Sequence, residues 1–308
     1  MTTSTSTVTP TPVPAPSRRP RRRRSGGDEA GQANWVVKAV VAIICFLWIV
    51  PTLGVLVTSF RTLDDANKSG WWTVFIHPSS FAHLTINNYR QAISDAHLGS
   101  AFINSLAIAL PATFIPILIA AFAAYAFTFM TFPGKDSLFI IIVSLLVVPA
   151  FVAFVPLLKI YGSLHMAGKF PAVWLAHIGF GMSLAIYLLR NYMSTLPKEV
   201  IESAKIDGAS HYATFYRLVL PMSVPVLASF AIFQFLWTWN DLLVALVFIG
   251  PGDNQPITIA TTQLLGQQGQ GWNLVTAGGL FSMILPIIVF LSMQRYFVRG
   301  LTAGSVKG

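Results

Sequence analysis

The sequence is short of charge and of cysteine. Only 10% of its 308 residues are charged, against roughly a quarter in an ordinary globular chain. A chain 54% hydrophobic and so poor in charge cannot offer a soluble surface as well as a core. The one cysteine, Cys45, excludes an intrachain disulfide, and its place in an apolar run reads as a buried free thiol. The P-loop pattern is also missing. Gly168-Lys169 is followed by Phe170 and has Ser163 where the first glycine belongs, and Gly134-Lys135 is followed by Asp136. The chain therefore has no ATP site of its own. No H-E-x-x-H occurs.

What is present is long apolar runs. Six are long enough for a helix that crosses the roughly 30 Å apolar layer of a bilayer: Trp35–Phe60, Phe102–Phe129, Leu138–Leu158, Pro171–Leu189, Pro225–Ile249 and Leu274–Tyr296. Their length selects helices over strands, since a spanning strand needs only about ten residues. The reading is an all-α polytopic membrane protein with six transmembrane helices. Pro111, Pro116, Pro149 and Pro286 fall inside these runs and predict kinks.

The net charge of +9 suggests nucleic acid until the charges are located. Six of the basic residues lie in Arg18–Arg24, within a Thr/Ser/Pro-rich arm over 1–33 that lacks the apolar surface to fold. No small-residue cleavage site follows the first run, so the arm reads as a disordered basic cytoplasmic tail rather than a leader. With that tail inside, only Arg61, Lys68, Arg90, Lys159 and Lys169 of the basic residues fall outside. This excess of inner positive charge puts both termini in the cytoplasm, with no call for nucleic acid. The chain then divides into the arm (1–33), a first helix with a long extracytoplasmic loop (34–99), and a core of five helices (100–308) with an inner loop at 190–225. Trp71 and Trp72, in the outer loop, suit the headgroup level.

The inner loop reads RNYMSTLPKEVIESAKIDGASHYATFYRLVLPMSVP. Pro197 suits the first turn of a short helix, and Glu199 and Glu202 follow near its positive end. Val200, Ile201 and Ala204 give it an apolar side. Asp207-Gly208 signals a turn, and Ser210 can cap a second helix from His211 to about Val219. Pro221 and Pro225 separate that helix from the next span. Such a hairpin either packs on its own bundle or plugs a groove on another protein.

This loop resembles the signature of ABC-importer permeases: Glu-Ala-Ala, three residues, Gly, nine residues, Ile, any residue, Leu-Pro. Here it runs Glu202-Ser203-Ala204, Gly208, Leu218, Leu220-Pro221, with Ser203 and Leu218 departing slightly from the pattern. NNYRQAI after the first outer loop, FPGKD ending at Asp136, FLWTWNDLLVALVF at Phe235–Phe248 and the final QRYFVRGLTAGSVKG look like the carbohydrate-uptake branch, and most like alpha-glucoside members. The resemblance implies a hairpin that couples to an ATPase through Glu202, Ala204, Asp207 and Gly208, with Glu199, Phe215, Leu220 and Pro221 counted with them. It implies a bacterial plasma-membrane permease that is itself no enzyme. Its partners would be a homologous second permease, two ATPase subunits carrying ATP and Mg, and an extracytoplasmic sugar-binding protein.

Asp241 is the only acidic residue in the last three spans. Ionisable groups there are costly and usually face a bundle interior or a water-filled path. On a continuous helix Gln234, Thr238 and Asp241 would share one face, with Asn240 beside it. Trp237 and Trp239 add flat surfaces of the kind sugar rings stack on. These residues read either as a translocation path or as polar glue between helices. Gly181-Met182-Ser183 resembles the nucleophile motif of rhomboid-type proteases, but the base such chemistry needs is missing. His177, six residues away on the same helix, points about 120° off. An ion-coupled carrier is the alternative transporter, and it leaves the inner loop unexplained.

The orientation has a direct check. In a Cys45→Ser background, cysteines at Ser80 and Gln268 should react with an impermeant thiol reagent in intact cells. Cysteines at Ser137 and Ser210 should react only after permeabilisation, and outside labelling at Ser210 would reverse the topology.

Overall fold

The computed structural model describes residues 35–265 and 271–302. The basic arm over 1–33 lies outside the described residues. The chain divides into two units, Met1–Val50 and Pro51–Gly308. Among the described residues the secondary structure is helical, with no strand. The helices are Trp35–Ser59 (α1), Leu63–Lys68 (α2), Thr73–Ile76 (α3), Asn87–Arg90 (α4), Leu98–Phe129 (α5), Lys135–Ser144 (α6), Phe154–Ser163 (α7) and Phe170–Met193 (α8). They continue as Lys198–Ile206 (α9), His211–Thr214 (α10), Leu220–Met222 (α11), Val224–Trp239 (α12), Leu243–Phe248 (α13), Ile257–Gln263 (α14) and Trp272–Thr302 (α15).

The described part of the first unit is the opening stretch of α1. Its apolar side chains, such as Ile43, Phe46 and Trp48, are exposed all round the helix, as on a surface that meets lipid. Cys45 is exposed as well, which corrects the expectation of a buried thiol.

Among the described residues, four helices are long and apolar enough to cross a membrane: α1, α5, α8 and the Trp272–Gln294 part of α15. Two bent pairs bring the number to six if each counts as one span. The expected span Leu138–Leu158, with its predicted kink at Pro149, is one of these pairs, bent by as much as 96° between Val147 and Ala150. Val148 is extended (φ −74, ψ 120) and so is Pro149 (φ −62, ψ 124). Proline drives the residue before it out of the helical region, and its missing N–H ends the ladder. The expected span Pro225–Ile249 is also interrupted. α12 ends at Trp239 and α13 begins at Leu243. At about 1.5 Å per residue, the 16 residues of α12 fall short of a bilayer core.

In the second unit α5 and α8 share the most extensive helix–helix contact. Small residues make it close. Ala120, Ala121 and Ala124 of α5 pack with Ala185 of α8 at one end. Ile108 packs with Ala172 and Ala176 towards the other. Lipid tails are as apolar as leucine, so helices in a membrane gain by van der Waals fit and hydrogen bonds, both of which small residues permit. The Trp174 indole N–H donates to the Ala107 carbonyl (2.9 Å) along the same seam.

Both loops beyond the far ends of these helices are built in. The Arg61 guanidinium is buried and donates to the carbonyls of Ser69 and Asp65 and to the Ser69 hydroxyl. The Asn88 amide donates to the Ser59 and Arg61 carbonyls and accepts from Asn273 of α15. The polar loop before α15 holds the helix α14, buried along its Ile257, Ile259 and Ala260 side, whose first N–H, on Ile257, donates to Ser105 of α5 (2.8 Å).

The alanine seam makes a prediction. Ala185→Leu adds three carbons where α5 leaves no room, and overpacking costs about 1–3 kcal/mol. It should lower the unfolding temperature of the purified protein in detergent, whereas Leu188→Ala, at an exposed position, should leave it nearly unchanged.

Candidate functional site

The inner loop folds as two short helices about a tight turn. α9 starts after Pro197 and stops at Asp207. Gly208 has φ +80. Its N–H donates to the Lys205 carbonyl (3.1 Å) and the Ala209 N–H to the Ala204 carbonyl (2.9 Å). These two bonds make a Schellman stop, with a left-handed glycine just past the helix end. The fixed spacing from Ala204 to Gly208 is therefore the spacing of a helix terminator. A Cβ built on Gly208 would meet nothing within 4 Å, so glycine is required there by φ and not by crowding inside this chain.

Ser210 then caps α10, accepting from the Ala213 N–H (3.2 Å). The helix widens into a π-type turn over Phe215–Val219 before α11. The hairpin is anchored from within. Ile201, Phe215 and Val219 are buried among Tyr125, Phe127 and Met193 at the ends of α5 and α8. Phe215 stacks on Phe122 (4.6 Å between centroids) and meets Tyr125 edge-on. The Tyr125 hydroxyl is 3.0 Å from His211 Nδ1.

Phe215 is thus an internal anchor of the hairpin, its ring turned into the bundle. Glu199, Glu202, Asp207, Gly208 and Pro221 are exposed, while Ala204 and Leu220 are half-buried. Beside the turn, Ile206 and Tyr212 are 86% and 70% exposed. Tyr125 and His211 were missed in the sequence, since nothing in their spacing reveals that a residue on α5 reaches the loop.

A second cluster lies where α5, α8 and α12 meet. Gln234 is fully buried, and its amide donates to the Ala112 carbonyl of α5 (3.2 Å) and, at longer reach, to the His177 carbonyl of α8 (3.4 Å). The His177 Nε2 is 3.7 Å from Asp241 Oδ2, within ion-pair reach but beyond a good hydrogen bond. The ring of His177 meets Trp237 edge-on. Thr113 Oγ1, His177 Nδ1, Gln234 Oε1 and Thr238 Oγ1 are buried and find no hydrogen-bond partner among the described residues. Buried polar atoms without partners are unfavourable; four close to one junction mark a place where water or a ligand would be welcome.

The helical face expected for Gln234, Thr238 and Asp241 does not exist as a continuous surface, because α12 ends two residues before Asp241. The break itself sets the carboxylate. Asp241 Oδ2 accepts the Ala245 N–H (3.1 Å), holding the start of α13, and its carbonyl accepts from Thr258 (2.9 Å). Thr238, Asp241 and His177 share a cavity of only about 10 Å³, too small for more than about one water. Trp237 lines a larger, mostly apolar cavity of about 580 Å³ under the bend at Pro149, together with Ser183. Asn240 is exposed and donates to the Leu236 carbonyl. Trp239 is core: buried, stacked on Phe235, its indole N–H on the Ser282 carbonyl. His177, considered in the sequence only as a base for Ser183, is instead the group facing Asp241; a lone acid and a buried histidine in neighbouring spans was the available signal.

Residues 116–303 match the family of binding-protein-dependent transport system inner membrane components. The chain belongs to this family. The permease is 52% identical over 88% of its length to an osmoprotective-compound uptake permease, GgtD, of Synechocystis sp., covering 91% of that protein. It is 49% identical over 81% of its length to an alpha-glucoside transport permease, AglG, of Rhizobium meliloti, covering 68% of that protein. Its fold matches a bacterial ABC transporter that imports alginate, with a TM-score of 0.70 at 16% identity over 85% of this chain and 95% of that one. The permease is therefore a multi-pass membrane component of a binding-protein-dependent transport system, a role that agrees with its missing P-loop.

The three-helix junction can be tested through Gly181. A Cβ there would lie 2.6 Å from Gln234 Oε1, so Gly181→Ala must push the amide out of the seam. Losing such buried hydrogen bonds costs about 1–3 kcal/mol. Gly181→Ala should destabilise the purified permease, and the double variant with Gln234→Ala should recover part of the loss; purely additive losses would dissociate the two residues.

Proposed function

We propose that the permease carries an oligosaccharide, specifically an alpha-glucoside, through an ABC importer by alternating access. The alpha-glucoside transport permease of Rhizobium meliloti, 49% identical, supports the substrate class. In this reading the chain pairs with a homologous second permease and receives sugar from an extracytoplasmic binding protein. Two ATPase subunits supply the work, with ATP and Mg bound on them. Both termini and the hairpin face the cytoplasm. An ion-coupled carrier would leave the exposed hairpin without a task.

The observation that carries the reading is the hairpin. Its turn is exposed, ends in a glycine with open space around it, and shows Ile206 and Tyr212 to solvent. Exposed large apolar groups beside a rigid turn suit insertion into a groove on a partner. Ile201, Phe215 and Val219 root the same hairpin among the ends of α5 and α8. A push on the turn is thereby passed to the helices that hold Gln234 and His177. Asp241 and the unpartnered atoms near it then line the sugar route or its gate once the helices part, with Trp237 at the side of the larger cavity.

Gly208 is the test. Gly208→Asp should leave the permease in the membrane and paired with its sister. Retention of the ATPase subunit and uptake of a labelled alpha-glucoside into vesicles should both fall. Gly208→Asn keeps the side-chain size without the added charge, and both residues tolerate positive φ better than most. If docking is tight, Asn should fail nearly as badly as Asp. Wild-type ATPase retention and uptake in both variants would remove the hairpin from the coupling role.

A further inference from the structure

A second cavity lies away from the polar junction, on the α9 side of the hairpin and next to Glu202 and the turn. It occupies about 440 Å³ between the end of α5, the start of α6, the last turn of α8 and the inner side of α9. Four cations line it, Lys135, Arg190, Lys198 and Lys205, against two carboxylates, Asp136 and Glu202. None of the four is within 4.0 Å of a carboxylate among the described residues. Lys135 donates to the Met130 carbonyl (2.9 Å), closing the end of α5. Arg190 is half-buried, and its guanidinium lies over the Phe139 ring at 4.6 Å with no hydrogen-bond acceptor among the described residues. A guanidinium offers five N–H donors in a fixed fork that matches phosphate oxygens. An orphaned fork in a cavity with an excess of cations is a site for an anion.

We infer that this cavity holds the phosphodiester headgroup of an anionic phospholipid. The position chooses lipid over a soluble anion. The cations stand where the apolar helices α5, α6 and α8 end, the level of the headgroups if these helices cross the bilayer. Beyond them, α6 turns Leu138, Ile140 and Ile141 outward, all exposed, and Phe139 lies under Arg190. A phosphate bound by the cations would leave its acyl chains against that apolar face. A free phosphate or an acidic peptide would make no use of it. α9 contributes both Lys198 and Lys205 from one face of the helix (i, i+7), so a bound lipid would also steady the first helix of the hairpin. The inference needs only the membrane location of this chain and is independent of the substrate.

The test uses the full-length permease purified from membranes that contain both phosphatidylglycerol and phosphatidylethanolamine, with bound lipid counted by native mass spectrometry. Wild type should retain phosphatidylglycerol. Lys198→Gln and Lys205→Gln, at exposed positions, should each weaken that retention roughly fivefold, the effect of about one basic charge near an anionic lipid. Arg190→Gln should weaken it at least as much, and phosphatidylethanolamine should not change. Thermal unfolding of each variant checks that the fold is intact; if Arg190→Gln unfolds, the two lysine variants decide alone. Equal phosphatidylglycerol retention in wild type and the lysine variants would overturn the inference. So would displacement of the lipid by millimolar inorganic phosphate, which would make this a site for a free anion. Protection of Lys198 and Lys205 from acetylation by a protein subunit, with no lipid bound, would assign the pocket to a protein partner instead.

Discussion

The close approach of α5 and α8 is the constraint on which the rest of the second unit depends. Alanines on both helices bring the backbones near enough for one buried amide, Gln234, to reach carbonyls on each. Gly181 leaves the volume that the amide fills. In a membrane this arrangement stands in for a hydrophobic core, because apolar side chains gain little by leaving lipid for protein. The same contact fixes the separation of the helix ends where the hairpin is rooted, and it holds His177 opposite Asp241.

From that seam the two candidate sites are mechanically related. Phe215 and Ile201 carry the hairpin on the ends of α5 and α8, while His177 lies further along α8 and Gln234, from α12, bonds to both helices there. The turn stands at one end of the pair and the cluster of unpartnered polar atoms further along it, shut in at an energetic cost. The breaks at Pro149 and at Asn240–Leu242 lie beside the cavities of that region. Interrupted spans free backbone groups and place polar side chains inside the bundle, and in membranes such irregular backbone is tolerated only where protein or a cavity surrounds it.

The hairpin was readable residue by residue. Pro197, Gly208 and Ser210 act through local backbone chemistry, so their roles follow from neighbours in the sequence. The polar cluster was only half readable. Asp241 stood out as a rare intramembrane acid, but helical periodicity joined it to the wrong surface, since the periodicity assumes a ladder that stops at Trp239. Trp239 and Phe215 looked available because aromatic residues in a membrane protein carry no local mark of whether they meet lipid, ligand or core.

By itself the sequence determined the class, the approximate spans, the hairpin and the family resemblance, because bilayer thickness, helix rise and capping chemistry act over a few residues at a time. Tertiary structure decided the rest. It decided how far the kink at Pro149 turns its span, 96°, that Phe215 faces inward, that His177 faces Asp241, and that Arg190 and three lysines surround one cavity. Each of these joins residues far apart in the chain, and which faces meet is set by the volumes of small side chains and by where a helix stops.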